Sequence, residues 1–124
     1  MSLDFDAINL RRDRKLRWLL LDTLFLARGK TPSGGVSGPL LMQWTTPQIE
    51  MSGLAVEDDE HALRLLGDLR DRGYIEVHTS KNRRQGERFK LVHVTLAKIT
   101  AKGVDLHEGN IDPDRQVDDG REQD

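Results

Sequence analysis

The stretch from Glu57 to Val77, EDDEHALRLLGDLRDRGYIEV, decides the fold of this chain. Acidic residues fill its first turn and arginines its last turn, as the dipole of an α-helix favours. Gly73 predicts a left-handed helix stop, and a β pattern follows at residues 74–77. Four apolar residues recur at the spacing that places them on one helical face: Ala62, Leu65, Leu66 and Leu69.

Length and composition favour a single soluble domain. The 124 residues are 32% charged and 36% hydrophobic, and the absence of cysteine excludes disulfides and thiolate metal sites. The start, MSLDFDAINL, lacks the basic-then-apolar order of a secretion signal, and the longest apolar run, residues 18–21, is too short to span a bilayer. We expect a cytoplasmic protein without membrane contact.

The net charge of -2 conceals a segregation of charge along the chain. Residues 110–124 carry six acidic and two basic side chains, whereas residues 7–109 carry 17 basic and 13 acidic ones. The acidic end has almost no apolar content, so we expect residues 110–124 to form a disordered tail. The rest is mildly basic, and the distribution of its charge must decide whether it binds nucleic acid.

A helix is predicted from about residue 9 to residue 28, after a short arm at residues 1–8. Its first half bears a basic cluster, which suits either a solvated face or an anionic partner. The helix dipole mildly disfavours cations near a helix start. Because the cluster lies there despite this cost, an anionic partner is the favoured interpretation. The predicted buried stripe of this helix is Leu16, Leu20, Thr23, Leu24 and Ala27.

Residues 29–39, GKTPSGGVSGP, have the composition of a loop. Its Gly-Lys-Thr is not a phosphate-binding loop, because Leu24 stands where that motif needs glycine and Pro32 follows where it needs a helix. Ser37 does not match a nucleophile elbow either.

Residues 40–45 suit either a short helix capped by Ser37 or a short strand. The next segment predicts a helix start, with Thr46 as N-cap and Pro47 at the first helical position, and a stop at Gly53. A short helix at residues 47–52, a tight connection and the helix after Glu57 together form a helix-turn-helix arrangement.

A β-hairpin is predicted after Gly73, with strands at residues 74–80 and 88–96 and a turn at residues 81–87. The alternation of apolar residues changes parity near Leu91 and Val92, which predicts a bulge or a change of face there. Thr100 then caps a last short helical turn at residues 100–106.

This order of elements resembles the winged helix-turn-helix superfamily. The resemblance covers roughly residues 9–106 and is closest at Leu66, Leu69, Gly73, Tyr74 and Ile75. It implies an α+β fold: a three-helix core plus a two-stranded β-wing, with a short C-terminal helical turn. The expected organisation is an arm at residues 1–8, a winged-helix domain at residues 9–109 and an acidic tail at residues 110–124.

The C-terminal half resembles a narrower group. The segment KITAKGVDLHEG at residues 98–109 is similar to the ending of small winged-helix proteins of Mu-like transposable phages and prophages. Residues 69–75 are also similar to a segment of those proteins. The chain departs from that group in its loop at residues 29–39 and in its arginine-rich wing. The resemblance implies a phage or prophage origin and carries no established activity.

Major-groove insertion of the helix after Glu57 is disfavoured by its own sequence. The face opposite its apolar stripe is mainly acidic, with Glu60, Asp68 and Asp71 beside Arg64 and Gly67. Arg64 is spaced to pair with Glu60 and Asp68 within the helix. A lone base contact from Arg64 or His61 is the remaining way for this helix to read DNA.

The wing is the better candidate for contact with duplex DNA, because a basic, flexible tip suits phosphates or the minor groove. The competing interpretation is an edge hairpin protected from aggregation by charge. The predicted DNA-binding residues are Lys81, Arg83, Arg84, Arg88 and Lys90 of the wing, Arg11, Arg12, Arg14 and Lys15 of the first helix, and Arg64.

No catalytic, cofactor, metal or small-molecule site is predicted, because the four histidines lack metal-ligand spacing and there is no cysteine. The rival hypothesis is a protein-interaction module that pairs with itself or with a phage protein. Trp18 and Trp44 are expected in the core. If the surplus apolar surface of the first helix proves exposed, its candidate interface is Trp18, Leu21 and Phe25.

Overall fold

The computed structural model describes residues 2–80 and 86–120, with side chains described from residue 8 onward. Within these ranges the fold is α+β, with four helices and a three-stranded antiparallel sheet. The elements are α1 (Ser2–Ala27), β1 (Gly35–Val36), α2 (Gly38–Met51), α3 (Asp59–Asp71), β2 (Ile75–Thr79), a 3₁₀ turn (Leu91–His93), β3 (Val94–Ile99) and α4 (Ala101–Glu108).

Helix α1 is the centre of the molecule, since α2, α3, α4 and β3 all pack on it. Its buried side chains include Leu16, Leu20, Leu24 and Ala27, as the predicted stripe requires. The separate arm at residues 1–8 is wrong, because α1 already begins at Ser2. The signals for a boundary near residue 9 are only compositional, and the backbone continues through them.

Helix α3 forms as its sequence predicts. Asp58 is the N-cap, and its carboxylate accepts a hydrogen bond from the His61 N–H at 2.8 Å. The helix ends with Gly73 at φ 83°, and the Tyr74 N–H donates to the Leu69 carbonyl at 3.0 Å. This is the Schellman arrangement, which turns the chain directly into β2.

The predicted helix start at Thr46 is wrong, because α2 is one helix from Gly38 to Met51 with Pro47 inside it. Ser37 is the N-cap and accepts a hydrogen bond from the Leu40 N–H at 3.3 Å. Thr31, Ser37 and Thr46 each come just before a proline, and of the three only Ser37 caps a helix. The carbonyl that Pro47 leaves without a donor belongs to Gln43, on the exposed face where water can reach it.

A third strand lies inside the predicted loop. Gly35 and Val36 form β1 and pair with Lys98 and Ala97 of β3, which gives the strand order β1-β3-β2. A Cβ atom at Gly35 would collide with the Ala97 carbonyl oxygen, so the close approach of the two strands requires glycine.

The return strand is shorter than predicted. It begins at Val94, and a 3₁₀ turn at Leu91–His93 replaces its predicted first half. The expected change of face occurs just after residues 91 and 92, between His93 and Val94, which are neighbours in sequence and both buried. The register shifts between His78 and Thr79, which pair with Leu96 and Val94 and so leave one extra residue on β3.

The short C-terminal helix is confirmed and is longer than one turn. The Thr100 hydroxyl accepts a hydrogen bond from the Gly103 N–H at 3.1 Å, which makes Thr100 the N-cap of α4. Gly109 ends the helix in the left-handed conformation, at φ 79°.

The predicted disorder of residues 110–124 is wrong for the part that the structure describes. Residues 110–120, here called the C-terminal strap, run back over α1 without forming a helix or strand. Val117 is fully buried, and the Asp118 N–H donates to the Arg14 carbonyl at 3.0 Å. Two apolar side chains, Val117 and the partly buried Ile111, together with backbone hydrogen bonds, therefore hold a segment whose average composition is that of a disordered tail.

Asp114 joins the C-terminal strap to the end of α3. Its carboxylate accepts hydrogen bonds from the Tyr74 hydroxyl at 2.7 Å and from the Arg72 guanidinium at 3.3 Å. Burial and the neighbouring Asp114 carboxylate raise the pKa of Tyr74 to about 12. Burial works against ionisation of Asp114, but the Gln116 N–H, Tyr74 and Arg72 hold the pKa of this carboxyl below its ordinary value.

The single tyrosine of the chain reports whether the C-terminal strap is docked. Because folding raises the pKa of Tyr74 from 10.0 to about 12, its stabilising contribution is full below pH 10 and is lost as the pH rises through about 12. An ultraviolet titration of phenolate should show a midpoint near 12, and Asp114→Asn should lower it. The exposed Asp112→Asn change in the same strap should leave it unchanged. A midpoint near 10 in the unmodified folded chain would contradict docking of the strap.

Candidate nucleic-acid interface

Two cations of the basic cluster of α1, Arg12 and Arg17, form ion pairs inside the molecule. Arg12 donates to the Glu57 carboxylate at 2.8 Å and to Asp13 at 3.2 Å. Glu57 comes directly before the N-cap of α3, so this ion pair ties α1 to the start of α3. Most of the charge of Arg12 is therefore compensated before any external anion arrives.

Arg17 is more deeply engaged. Two of its nitrogens donate to Asp68 Oδ2, at 2.7 and 3.2 Å, and a third donates to the Gln116 carbonyl at 3.1 Å. The side chain is only 10% exposed. Arg17 therefore connects α1, α3 and the C-terminal strap, and it is not available to DNA.

The remaining cations of α1 differ in accessibility. Arg11 is exposed, whereas Arg14 and Lys15 are half-buried. The Nε atom of Arg14 is buried and has no hydrogen-bond partner among the described residues. Of the four predicted first-helix contacts, Arg11 is thus the one that the fold leaves most open to an external anion.

His61 cannot contact bases, because it is buried between α1 and α3. Its Nδ1 accepts from the Glu57 N–H at 3.1 Å, so its Nε2 carries the proton that is donated to Asp13 at 2.8 Å. Burial works against ionisation of Asp13, but hydrogen bonds from His61 and Arg12 hold the pKa of this carboxyl below its ordinary value. His61 is a structural link between two helices.

The base of the wing is attached to the acidic first turn of α3. Arg88 forms an ion pair with Glu60, and the Leu91 N–H donates to Asp59 Oδ2 at 3.2 Å. Lys90 is exposed. Three of the predicted wing contacts, Lys81, Arg83 and Arg84, lie outside the described residues.

Described cations from both predicted basic clusters, Arg12 of α1 and Arg88 of the wing, therefore lie on either side of one acidic turn. Glu57 takes up Arg12 from α1, and Glu60 takes up Arg88 from the wing. Among the described residues, these two carboxylates at the start of α3 lie between Arg12 of the first helix and Arg88 at the base of the wing. The sequence shows both charge clusters but not the turn that separates them.

The ion pairs on the outer face of α3 also differ from those that the sequence predicts. Arg64 is exposed, and neither of its predicted partners holds it, since Glu60 pairs with Arg88 and Asp68 pairs with Arg17. Partners from distant segments replace those one turn away. Arg64 is consequently the one cation on the acidic face that forms no ion pair among the described residues.

The predicted apolar interface on α1 is closed. Leu21 is fully buried, and the rings of Trp18 and Phe25 stack on His107 of α4, with centroids 4.9 and 3.7 Å apart. His107 is held in place by Asp22, whose carboxylate lies 2.7 Å from its Nε2. Helix α4 thus covers the surface that the interface hypothesis needed to be exposed.

An exposed apolar face occurs instead on α2, where Trp44 is 38% exposed rather than in the core. Trp44, Pro47 and Met51 follow one another at helical spacing, and Trp44 and Pro47 line a cavity of about 460 Å³ together with Leu26 of α1. Helix α2 carries one charged residue, Glu50, in a chain that is 32% charged. That scarcity of charge was the sequence signal for this face.

Comparisons with protein-family models, curated proteins and solved structures each gave no significant match. Within the described ranges, no group of three or more metal-ligating side chains could hold an ion. None of the helices described is both long enough and apolar enough to cross a membrane.

Asp68 should matter more to stability than its exposed neighbour. Asp68→Ala leaves the buried Arg17 guanidinium without its carboxylate, so the free energy of unfolding should fall by about 1–3 kcal/mol. Asp71→Ala, in the same helix, removes only an exposed pair with Arg70 and should change it by less than about 0.5 kcal/mol. Urea unfolding measures both variants, and equal losses would contradict the structural role assigned to Arg17.

Proposed function

We propose that this chain is a winged-helix protein that binds duplex DNA through its wing, without catalysing a reaction. The observation that carries the proposal is the combination of a wing base anchored to α3 with a segment of concentrated positive charge. Residues 81–90 contain five cations and one acid, Glu87. The anchors are the β2–β3 pairing, the Arg88–Glu60 ion pair and the hydrogen bond from Leu91 to Asp59.

In this proposal α3 supports the wing and does not read bases. Its start presents four acids in a row, Glu57 and Asp58 just before the helix and Asp59 and Glu60 in its first turn, and their charge opposes phosphate. Glu57 and Glu60 form ion pairs with Arg12 and Arg88, two arginines that the sequence predicts to contact DNA. The contact is expected to be weakly dependent on sequence, because phosphate contacts position a protein without specifying bases.

The number of phosphate contacts sets the expected salt dependence. Residues 81–90 contain five cations, of which Arg88 is paired with Glu60. Three or four contacts predict that log K falls with log salt at a slope of roughly -3 to -4. Binding should therefore be weak at physiological salt.

Fluorescence anisotropy with a labelled duplex at several salt concentrations tests the proposal. The double change Arg83→Ala with Arg84→Ala should weaken binding and make the slope shallower by about 2, since two phosphate contacts are lost. The matched control is Arg11→Ala with Arg64→Ala, which removes the same charge from exposed positions outside the wing. The control should change the slope little. Absence of binding at low salt, or equal effects of the two double variants, would contradict the proposal.

A protein-interaction module is the second candidate, and the exposed face of α2 favours it. Tryptophan and methionine are enriched at protein interfaces and charged residues are depleted at their centres, as they are around Trp44 and Met51. If the chain binds no duplex DNA at low salt, the protein-interaction hypothesis replaces the DNA-binding proposal. Steep, wing-dependent DNA binding would leave the α2 face without a required role in the function.

A further inference from the structure

The N-terminal half of α1 extends beyond the core of the molecule. Every residue from Ile8 to Arg11 is exposed, and full burial along this helix begins only at Leu16. Ile8 is 61% exposed, the largest exposed fraction among the apolar side chains described on α1. A short helical segment is marginally stable in water, so contact with another surface would stabilise this one.

A groove lies beside this extension. Its volume is about 580 Å³, and it separates α1 from the connection between α2 and α3. Ile8, Leu54 and Ala55 give it an apolar lining, while Arg11 and Lys15 supply positive charge along its α1 side. Ile8, Arg11 and Lys15 lie on one helical face, since they are separated by three and four positions.

The chain itself contains a segment with the chemistry that this groove requires. Residues 1–7, MSLDFDA, include two acids, no base and several apolar residues. In its own molecule, residues 2–7 are part of α1 and lead away from Arg11 and Lys15 along the same helix, so they cannot fold back into the groove. A second copy can supply it.

We propose that the N-terminal halves of two α1 helices pair in an antiparallel, two-fold dimer, each end entering the groove of the other copy. With the axis near Ile8, residues 2–6 of one copy run beside residues 10–14 of the partner, and acidic sequence meets basic sequence twice. A parallel pair would instead set basic turn against basic turn. Such an isologous contact uses one surface patch on both copies and closes without further growth. The dimer does not depend on DNA binding.

Sedimentation equilibrium of the full chain over a dilution series tests the dimer. The mass should approach twice 14.1 kDa at high concentration and fall on dilution, and added salt should weaken association. Ile8→Asp should weaken it at least about tenfold, because the two-fold axis introduces the unfavourable charge twice. Val92→Asp is the matched control, since Val92 is similarly exposed, at 65%, and does not line the groove.

The control should dimerise like the unmodified chain. A monomer at every concentration, or equal losses in the two variants, would overturn the proposal. Circular dichroism checks that both variants are folded, as expected for changes at exposed positions.

Engineered cysteines test the antiparallel orientation, because the chain has no cysteine of its own. With the axis near Ile8, the two copies of residue 9 lie within about 3 Å along the helix direction, whereas the two copies of residue 15 are separated by roughly 21 Å. Asn9→Cys should form a disulfide-linked dimer on mild oxidation, and Lys15→Cys should not. Cross-linking at residue 15, or at neither position, would contradict antiparallel pairing.

Discussion

Burial of the apolar face of α1 is the constraint on which the rest of the structure depends. Leu16, Leu20, Leu24 and Ala27 have no exposed surface, and α2, α3, α4, the sheet and the C-terminal strap all contact this helix. A helix surrounded on so many sides brings its polar residues into contact with neighbours as well. The basic cluster that precedes the apolar stripe is thereby placed against acidic side chains of α3.

This placement redistributes charge within the molecule. Arg12 and Arg17 compensate Glu57 and Asp68, so two strong cations of α1 serve to attach α3 and the C-terminal strap. Their guanidinium groups suit that role, since a planar group can donate to several acceptors at once. The densest positive charge outside α1 lies in the sequence of residues 81–90, and the proposed DNA contact is placed there.

The sequence was most informative where the determinants are local. The stripe of α3, its stop at Gly73 and the Thr100 cap follow from neighbouring residues, and all are confirmed. Thr46 and Pro47 also form a strong local signal, but Thr45 beside them is buried and bonded to Thr23 of α1, and α2 continues through both. A two-residue strand such as β1 is too short to produce a periodic pattern.

The features that the sequence could not predict depend on distant pairs. Arg12 and Glu57 are separated by 45 positions, and Arg17 and Asp68 by 51, so nothing in the local pattern indicates that they meet. The C-terminal strap was missed because composition averages over many polar residues, whereas docking depends on Val117 and Asp114. The candidate site was consequently predictable as a set of cations, but not as the smaller set that remains after internal pairing.

The central claim is that α3 supports the wing while the wing contacts DNA, and an amide chemical-shift titration tests it most directly. Backbone signals of an isotope-labelled chain would be followed as a short duplex is added at low salt. The account predicts the largest shifts at residues 81–90 and small ones at Glu60, Arg64, Gly67 and Asp71 on the outer face of α3. Large shifts along that outer face, with little change in the wing, would contradict it.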